Sequence, residues 1–297
     1  MHTMARVKNA ALAEGDIPEP PGREIGEAQV VDAADRLTAN TADEADQLVR
    51  LYGADSGRVS IVPPGVDLEV FTPGDQGEAR RRLGLPPHAR IVTFVGRIQP
   101  LKAPDILVKA ARLVLDRHPE WHADDLVIGI LGGPSGTGLA RPTELHDLVT
   151  GLDLTEHVRF VPPADRLTLA DWYRASDLVA VPSYSESFGL VAIEALACGT
   201  PVVAAAVGGL PTAVGPGGVL VHTHDIGDWA AAIDGLLHTP DERKRLSGNA
   251  VRHAARFGWD ATTDRLLTAY GDACRTRTPS PISDSALLLG VPALVIP

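Results

Sequence analysis

Two glutamates eight residues apart, Glu186 and Glu194, lie in the run Ser183-Tyr184-Ser185-Glu186-Ser187-Phe188-Gly189-Leu190-Val191-Ala192-Ile193-Glu194. An apolar stretch, Leu178–Pro182, precedes them and predicts a strand, while Phe188–Ala197 predicts the helix that carries Glu194. In an open α/β sheet, ligands bind beyond the carboxyl ends of the strands. Backbone N–H groups near Ser187, Phe188, Gly189 and Leu190 would then face an anion such as a diphosphate, with help from the helix dipole. Glu186, in the loop, can reach a sugar hydroxyl, and Glu194 can accept hydrogen bonds from a ribose diol. Two glutamates at an arbitrary spacing are usually a solvated loop acid and a helix acid; the sequence around this pair is what singles it out.

A second group of candidates is cationic. Phe94-Val95-Gly96-Arg97-Ile98-Gln99-Pro100-Leu101-Lys102 leaves a predicted strand through glycine and presents Arg97 and Lys102 on one loop. Two such cations can neutralise a diphosphate leaving group without a metal. Gly132-Gly133-Pro134-Ser135-Gly136 follows another strand, and glycine there lets backbone approach a ligand closely. His222 and His224 lack a third ligand nearby in sequence, so they do not read as a metal site. No Ser-His-Asp set or nucleophilic cysteine context appears.

The elements that must hold these groups follow from periodicity. From Arg90 onward, short apolar runs alternate with amphipathic stretches, which predicts a parallel sheet covered by helices on both faces. Strands are expected at Ile91–Val95, Leu126–Leu131, Val158–Val161, Leu178–Pro182, Val202–Ala205 and Val219–Val221, and helices at Asp105–Arg117, Thr143–Gly151, Leu167–Ala175, Phe188–Ala197, Asp225–Leu237, Asp241–Phe257 and Trp259–Cys274. Before them, Ala28–Leu37 and Ala42–Tyr52 read as helices, with short strands at Leu37–Asn40 and Val59–Val62, and Pro63-Pro64-Gly65-Val66-Asp67 reads as a turn into an extended link.

Composition narrows the partners. The chain has 297 residues, 27 basic against 38 acidic side chains and a formal net charge of −11, which opposes nucleic acid or an anionic membrane as principal partner. Its two cysteines, Cys198 and Cys274, give no disulfide framework and suit a reducing compartment. Cys198 reads as a small core residue. The start, Met1 to Lys8, runs into a polar segment rather than an apolar signal, so a cytoplasmic location is expected. The apolar segment Ala286–Pro297 is too short and too proline-broken to span a bilayer and reads as a tail.

The block around Glu186 and Glu194 resembles the E-x7-E signature of retaining GT-B glycosyltransferases of family 4. The resemblance implies an α/β fold of GT-B type, with one complete Rossmann-like donor domain at 71–258 and a remnant of the amino-terminal, acceptor-binding domain at 1–70. A crossover helix at 259–277 and the tail at 278–297 complete the expected organisation. In the family a segment like Val62-Pro63-Pro64-Gly65-Val66-Asp67 joins the two domains, so most of the first domain is expected to be absent and the terminal helix to have little to cross back to.

The same resemblance assigns roles. Arg97 and Lys102 match the family's diphosphate-binding pattern, Gly133 lies near the nucleotide, Glu186 attends the donor sugar or its phosphate surroundings, and Glu194 holds the ribose. The Gly132–Gly136 loop, with Val95-Gly96-Arg97-Ile98-Gln99-Pro100-Leu101-Lys102-Ala103-Pro104, narrows it to the branch that moves N-acetylglucosamine from its UDP donor to an inositol phosphate in mycothiol synthesis. His2-Thr3-Met4 and Arg23 match that branch's acceptor-binding stretch, where Thr3 would donate to phosphate oxygens and Arg23 would clamp them. Tyr173, Arg174 and Ser176, with Thr200, resemble a place where the family holds a structural magnesium through backbone oxygens; no cofactor is required for catalysis. One departure is Ala164, which stands where the family supplies an arginine near the donor. Either Arg166 substitutes through a shifted loop or a donor contact is gone.

The leading expectation is therefore a hexosyltransferase acting with retention. Its alternative is a truncated, catalytically silent UDP-sugar-binding domain, since a cleft enzyme needs both walls. A phosphorylase or synthase acting on glucans finds no support in the Gly132–Gly136 or His2-Thr3-Met4 segments. Exposed apolar surface at the edge of the incomplete domain predicts a tendency to associate, as in a homodimer.

Overall fold

The computed structural model describes residues 4–10, 17–133 and 143–276. Two lobes of unequal size share this span. The smaller contains α1 (Ala5–Ala10), α2 (Pro21–Ala33), β1 (Leu37–Ala39), α3 (Ala42–Tyr52) and β2 (Val59–Ile61). β1 and β2 pair in parallel, Leu37 opposite Val59 and Ala39 opposite Ile61. Met4, Val31, Leu37, Ala39, Leu48 and Ala54 form its core. α3 starts because Thr41 caps it, accepting from the Glu44 N–H at 3.1 Å, and stops at Gly53, whose φ of 69° is open to glycine at little cost.

The larger lobe contains α4 (Gln76–Arg82), β3 (Arg90–Val95), α5 (Pro104–Arg117), β4 (Leu126–Leu131), α6 (Glu144–Gly151), β5 (Val158–Val161), α7 (Arg166–Ala175), β6 (Leu178–Val181), α8 (Leu190–Ala197), β7 (Val202–Ala205), α9 (Leu210–Val214), β8 (Gly218–Val221), α10 (Ile226–Leu237) and α11 (Pro240–Ala254). Its six strands are parallel in the order β5-β4-β3-β6-β7-β8. β4, β6 and β7 are buried at every position, which is why they read as unbroken apolar runs rather than alternating ones. The chain moves outward from β3 to β5, then returns to lay β6 against the other side of β3, pairing Val92 with Leu178 and Thr93 with Val179. That reversal opens a crevice beyond the carboxyl ends of β3 and β6.

The sequence reading and the fold differ at several boundaries. α2 begins at Pro21 rather than Ala28, because proline at a first helical position gives up only an N–H that has no intrahelical acceptor there. α4 was not expected at all: its sequence, Gln-Gly-Glu-Ala-Arg-Arg-Arg, has no apolar stripe. Instead Arg80 is buried, its guanidinium donating to the Ala175 and Pro87 carbonyls at 2.9 and 2.8 Å and pairing with Asp177 at 2.9 Å. α8 begins at Leu190, two residues later than predicted, because Gly189 at φ 104° occupies the cap.

The terminal helix α12 (Trp259–Thr276) does find a landing, contrary to expectation. Val66 bridges to Gly258, the Thr262 hydroxyl donates to the Pro63 carbonyl at 2.9 Å, and Asp272 lies 3.7 Å from Arg36 at the start of β1. Gly65 is required at the crossing, since a Cβ there would stand 2.6 Å from the Trp259 ring. Ile25, Val30 and Ile61 of the smaller lobe and Leu267 and Tyr270 of α12 remain exposed. No described helix is long and apolar enough to cross a membrane.

Candidate active site

The crevice beyond β3 and β6 is floored by loops that glycine allows to close on one another. Gly132 has φ 141°, and a Cβ there would lie 2.0 Å from the Gly96 carbonyl oxygen. The Gly96 N–H donates to Leu131 and the Ile98 N–H to Gly133, at 2.9 and 3.0 Å, so the ends of β3 and β4 are laced together. Gly133 thus sits beside the loop that carries Arg97. Arg97 itself is exposed and makes no ion pair with any described residue.

Lys102 and Glu186 meet. Their Nζ and Oε2 atoms are 2.5 Å apart, across 84 residues, with side chains only 21% and 18% exposed. The structure therefore joins two groups that were expected to have separate tasks. The Tyr184 N–H donates to the Leu101 carbonyl at 2.9 Å, which pins the 183–189 loop against the Lys102 loop. The Glu186 carboxylate is thus the counter-charge of the Lys102 ammonium.

A third loop completes the seat of Glu186. The Gly209 N–H donates to the Glu186 carbonyl at 2.8 Å. A Cβ on Gly208, whose φ is 50°, would lie 2.1 Å from that oxygen, and one on Gly209 would lie 2.4 Å from the Ser187 carbonyl oxygen. Sequence reasoning missed this Gly208-Gly209 pair, although two glycines shortly after a buried strand, β7, are close to the signal that drew attention to Gly132-Gly133. It also missed His224, whose ring stacks on Tyr184 at 4.1 Å and whose Nε2 lies 3.2 Å from the Ser183 carbonyl oxygen. His224 thus braces the loop rather than holding a metal.

Glu194 is placed by α8, one turn in from the Gly189 cap, and is largely shielded from water. Burial raises its carboxyl above the ordinary glutamate range, partly offset by the Tyr173 hydroxyl, which donates to Oε2 at 2.9 Å, and by the charge of Arg166. Tyr173 is fully buried and pushed well above the normal phenol range, chiefly by desolvation, so it stays a donor. Cys198, at the end of the same helix, is buried, and desolvation lifts its thiol to about 12. It is a core residue, inert as a nucleophile.

Ala164 leaves no cation at its position, and Arg166 is engaged elsewhere: it pairs with Asp67 of the interlobe link at 3.1 Å and lies 5.7 Å from the centre of the Phe71 ring. Its charge still reaches Glu194. The other cleft wall comes from the smaller lobe. Met4, Val7, Thr41, Asp43, Glu44 and Gln47 face Ser185, Glu186, Ser187, Gly208 and Gly209 across an open groove.

Arg23 is not among the groove-lining residues. It lies on α2, with its guanidinium 2.8 Å from Glu19 and 2.9 Å from Glu27, and the hydrogen bond to Glu19 is the main reason its pKa rises. His2, Thr3, Ser135 and Gly136 lie outside the described residues. The residues of the expected magnesium place come together, with two of their carbonyls already engaged by protein donors. The Tyr173 carbonyl already accepts from the Thr200 hydroxyl at 2.6 Å and the Ser176 N–H at 3.1 Å. The Ser176 carbonyl accepts from Gln76 at 3.2 Å, and the Arg174 guanidinium is spent on the Val70 and Thr72 carbonyls. The Tyr173 and Ser176 carbonyls would have to exchange these donors for an ion.

A crevice at the switch point of a parallel sheet, faced by a second α/β lobe, is the arrangement of a GT-B transferase. The profile described as "Glycosyl transferases group 1" matches residues 75–253, and "Glycosyltransferase Family 4" matches residues 14–70. The chain belongs to the group 1 glycosyl transferases. It is 61% identical over 272 residues to D-inositol 3-phosphate glycosyltransferase 2 of Catenulispora acidiphila, covering 91% of this chain and 64% of that protein. It is 58% identical to D-inositol 3-phosphate glycosyltransferase of Thermomonospora curvata, covering 92% of this chain and 65% of that protein. The chain thus spans just under two thirds of the length of these relatives.

Solved structures agree on the fold. Sucrose-phosphate synthase from Thermosynechococcus elongatus superposes with a TM-score of 0.79 at 30% identity, over 93% of this chain and 67% of that one. Anabaena HepE in complex with UDP-glucose superposes with a TM-score of 0.72 at 23% identity, over 86% of this chain and 71% of that one.

Proposed function

We propose that this chain transfers N-acetylglucosamine from UDP-N-acetylglucosamine to 1D-myo-inositol 3-phosphate with retention, the first step of mycothiol synthesis. The observation that carries the reading is the Lys102–Glu186 pair, its lysine on the loop that also bears Arg97, at the crevice where a UDP diphosphate would enter. The names of the relatives, all D-inositol 3-phosphate glycosyltransferases, supply the acceptor.

In this reading the incoming diphosphate displaces Glu186 from Lys102 and takes Lys102 and Arg97 as its counter-charges. Glu186, once released, is free to accept from hydroxyls of the donor sugar. Glu194 accepts from the ribose diol, and the first-turn N–H groups of α8, without intrahelical acceptors, face the phosphates. The inositol hydroxyl attacks the anomeric carbon on the face from which UDP departs; the C–O bond to the diphosphate breaks, and its negative charge develops between Arg97 and Lys102. The acceptor proton passes to the departing phosphate oxygen. No protein nucleophile is needed, and positioning with electrostatic stabilisation supplies the rate. Arg23 would meet the acceptor phosphate only after exchanging Glu19 or Glu27 for it.

A second reading, a UDP-sugar-binding domain without turnover, is favoured by the exposed apolar side chains of the smaller lobe. One experiment separates the two: incubate the purified chain with UDP-N-acetylglucosamine and inositol phosphate, and measure both UDP affinity and glycosylated product. Product with the anomeric configuration of the donor supports transfer with retention. Binding without product supports the second reading, and absence of UDP binding refutes both.

A further inference from the structure

A cluster far from the crevice carries chemistry that the transferase reading does not use. His118 caps the carboxyl end of α5, and His238 caps the carboxyl end of α10, with Asp234 of α10 between them. The ligating atoms of the three lie within 4.8 Å of one another. His118 Nε2 and His238 Nδ1 are each 3.0 Å from Asp234 Oδ1. Two atoms bound to one tetrahedral Zn2+ at ordinary bond lengths stand about 3.3 Å apart. The two His–Asp edges of such a site are therefore nearly formed.

The surroundings favour a cation. Two helix carboxyl ends converge here, and each concentrates partial negative charge on its last carbonyls. Glu120 Oε1 lies 3.3 Å from His118 Nδ1, where it can take that N–H and leave the Nε2 lone pair facing Asp234. A carboxylate behind a ligating histidine is the usual outer support of a metal site. Trp121 stacks against both rings, on His118 at 4.2 Å and His238 at 5.3 Å between centres, which fixes their planes. Two contacts compete. Arg117 lies 3.5 Å from Asp234 Oδ2, leaving Oδ1 for the ion, and His238 Nδ1 is also 3.0 Å from the Asp234 carbonyl oxygen, a hydrogen bond that metal binding would replace.

The geometry points to a divalent transition-metal site, of the borderline-soft class that Zn2+ typifies, formed by His118, Asp234 and His238 with water in the fourth position. Its consequence is mechanical. α5 leaves the Lys102 loop and α10 leaves the His224 loop, so the ion ties together the far ends of the two helices whose near ends flank the crevice, about 21 Å away along α5.

Titration of ZnCl2 into the metal-stripped full chain, followed by calorimetry, tests this. The parent is expected to take up one Zn2+ that is lost or weakened at least tenfold in Asp234→Asn and in His238→Gln, with Glu120→Gln weakened less. At a hundredfold excess over Kd the thermal midpoint should rise by roughly 5–10 °C in the parent and not in the two ligand variants. Co2+ should give the visible absorption of a tetrahedral N/O site. His238 is half-exposed, so His238→Gln keeps the fold and decides the question should Asp234→Asn unfold. No saturable uptake by the parent, or uptake unchanged in His238→Gln, overturns the assignment.

Discussion

Breaking the Lys102–Glu186 pair from each side should give opposite results for UDP. The two side chains are four-fifths shielded and 2.5 Å apart, so each is the other's principal counter-charge in the free protein. Lys102→Ala removes a cation from the diphosphate and leaves Glu186 as an unpaired negative charge beside it. A charge-assisted hydrogen bond contributes about 1.5–3 kcal/mol, so UDP affinity should fall roughly tenfold to a hundredfold. Glu186→Gln removes the competitor. A carboxylate and a phosphate about 6 Å apart at an effective dielectric of 20 repel by nearly 3 kcal/mol, and partial exposure reduces this to about 1 kcal/mol. UDP should therefore bind Glu186→Gln several-fold more tightly than the parent, while UDP-N-acetylglucosamine gains less because its sugar loses a partner. Calorimetric titration of both ligands into both variants reads these differences directly. Equal weakening of UDP by the two substitutions would refute the view that Glu186 holds the place of the diphosphate.

Other consequences follow from the same geometry. Gly208→Ala places a Cβ against the Glu186 carbonyl oxygen at a positive φ, and should cost about 2 kcal/mol or more in denaturant unfolding while weakening UDP. Arg80→Ala strips Asp177 of its main partner in a buried setting and should cost roughly 3 kcal/mol, read the same way. Glu194 has a folded pKa raised above 4.5 by burial, so the folded state holds its proton more tightly than the unfolded state does, and this group's contribution to stability falls as pH rises through the window above 4.5. Glu194→Gln should accordingly raise the thermal midpoint of the ligand-free chain at neutral pH, with the gain vanishing below about pH 4.5, and should weaken UDP through the ribose.

The parallel sheet was legible because strands buried on both faces leave unbroken apolar runs, and Leu126–Leu131 and Val202–Ala205 fall where the sequence predicts, as does the edge strand Val158–Val161. α4 was not, because it is held by one buried arginine and not by an apolar stripe. Arg97, Lys102, Gly133, Glu186 and Glu194 were legible as candidates, the first four in loops that follow strands and Glu194 in the helix after β6. That Lys102 and Glu186 neutralise each other was not, because the contact depends on β3 and β6 being neighbours, which no local pattern records. His224 was visible only as half of a His-x-His pair, and its stacking on Tyr184 comes from the approach of two loops distant in sequence. The landing of α12 on Arg36 likewise depends on how the two lobes meet, which periodicity within the helix does not encode.

A crystal structure of the chain with UDP is the most direct test of the donor site. The diphosphate should lie within about 3 Å of Arg97 and Lys102, with Lys102 turned away from Glu186 and the ribose hydroxyls on Glu194. UDP bound elsewhere, or bound with the Lys102–Glu186 pair still closed, would contradict it.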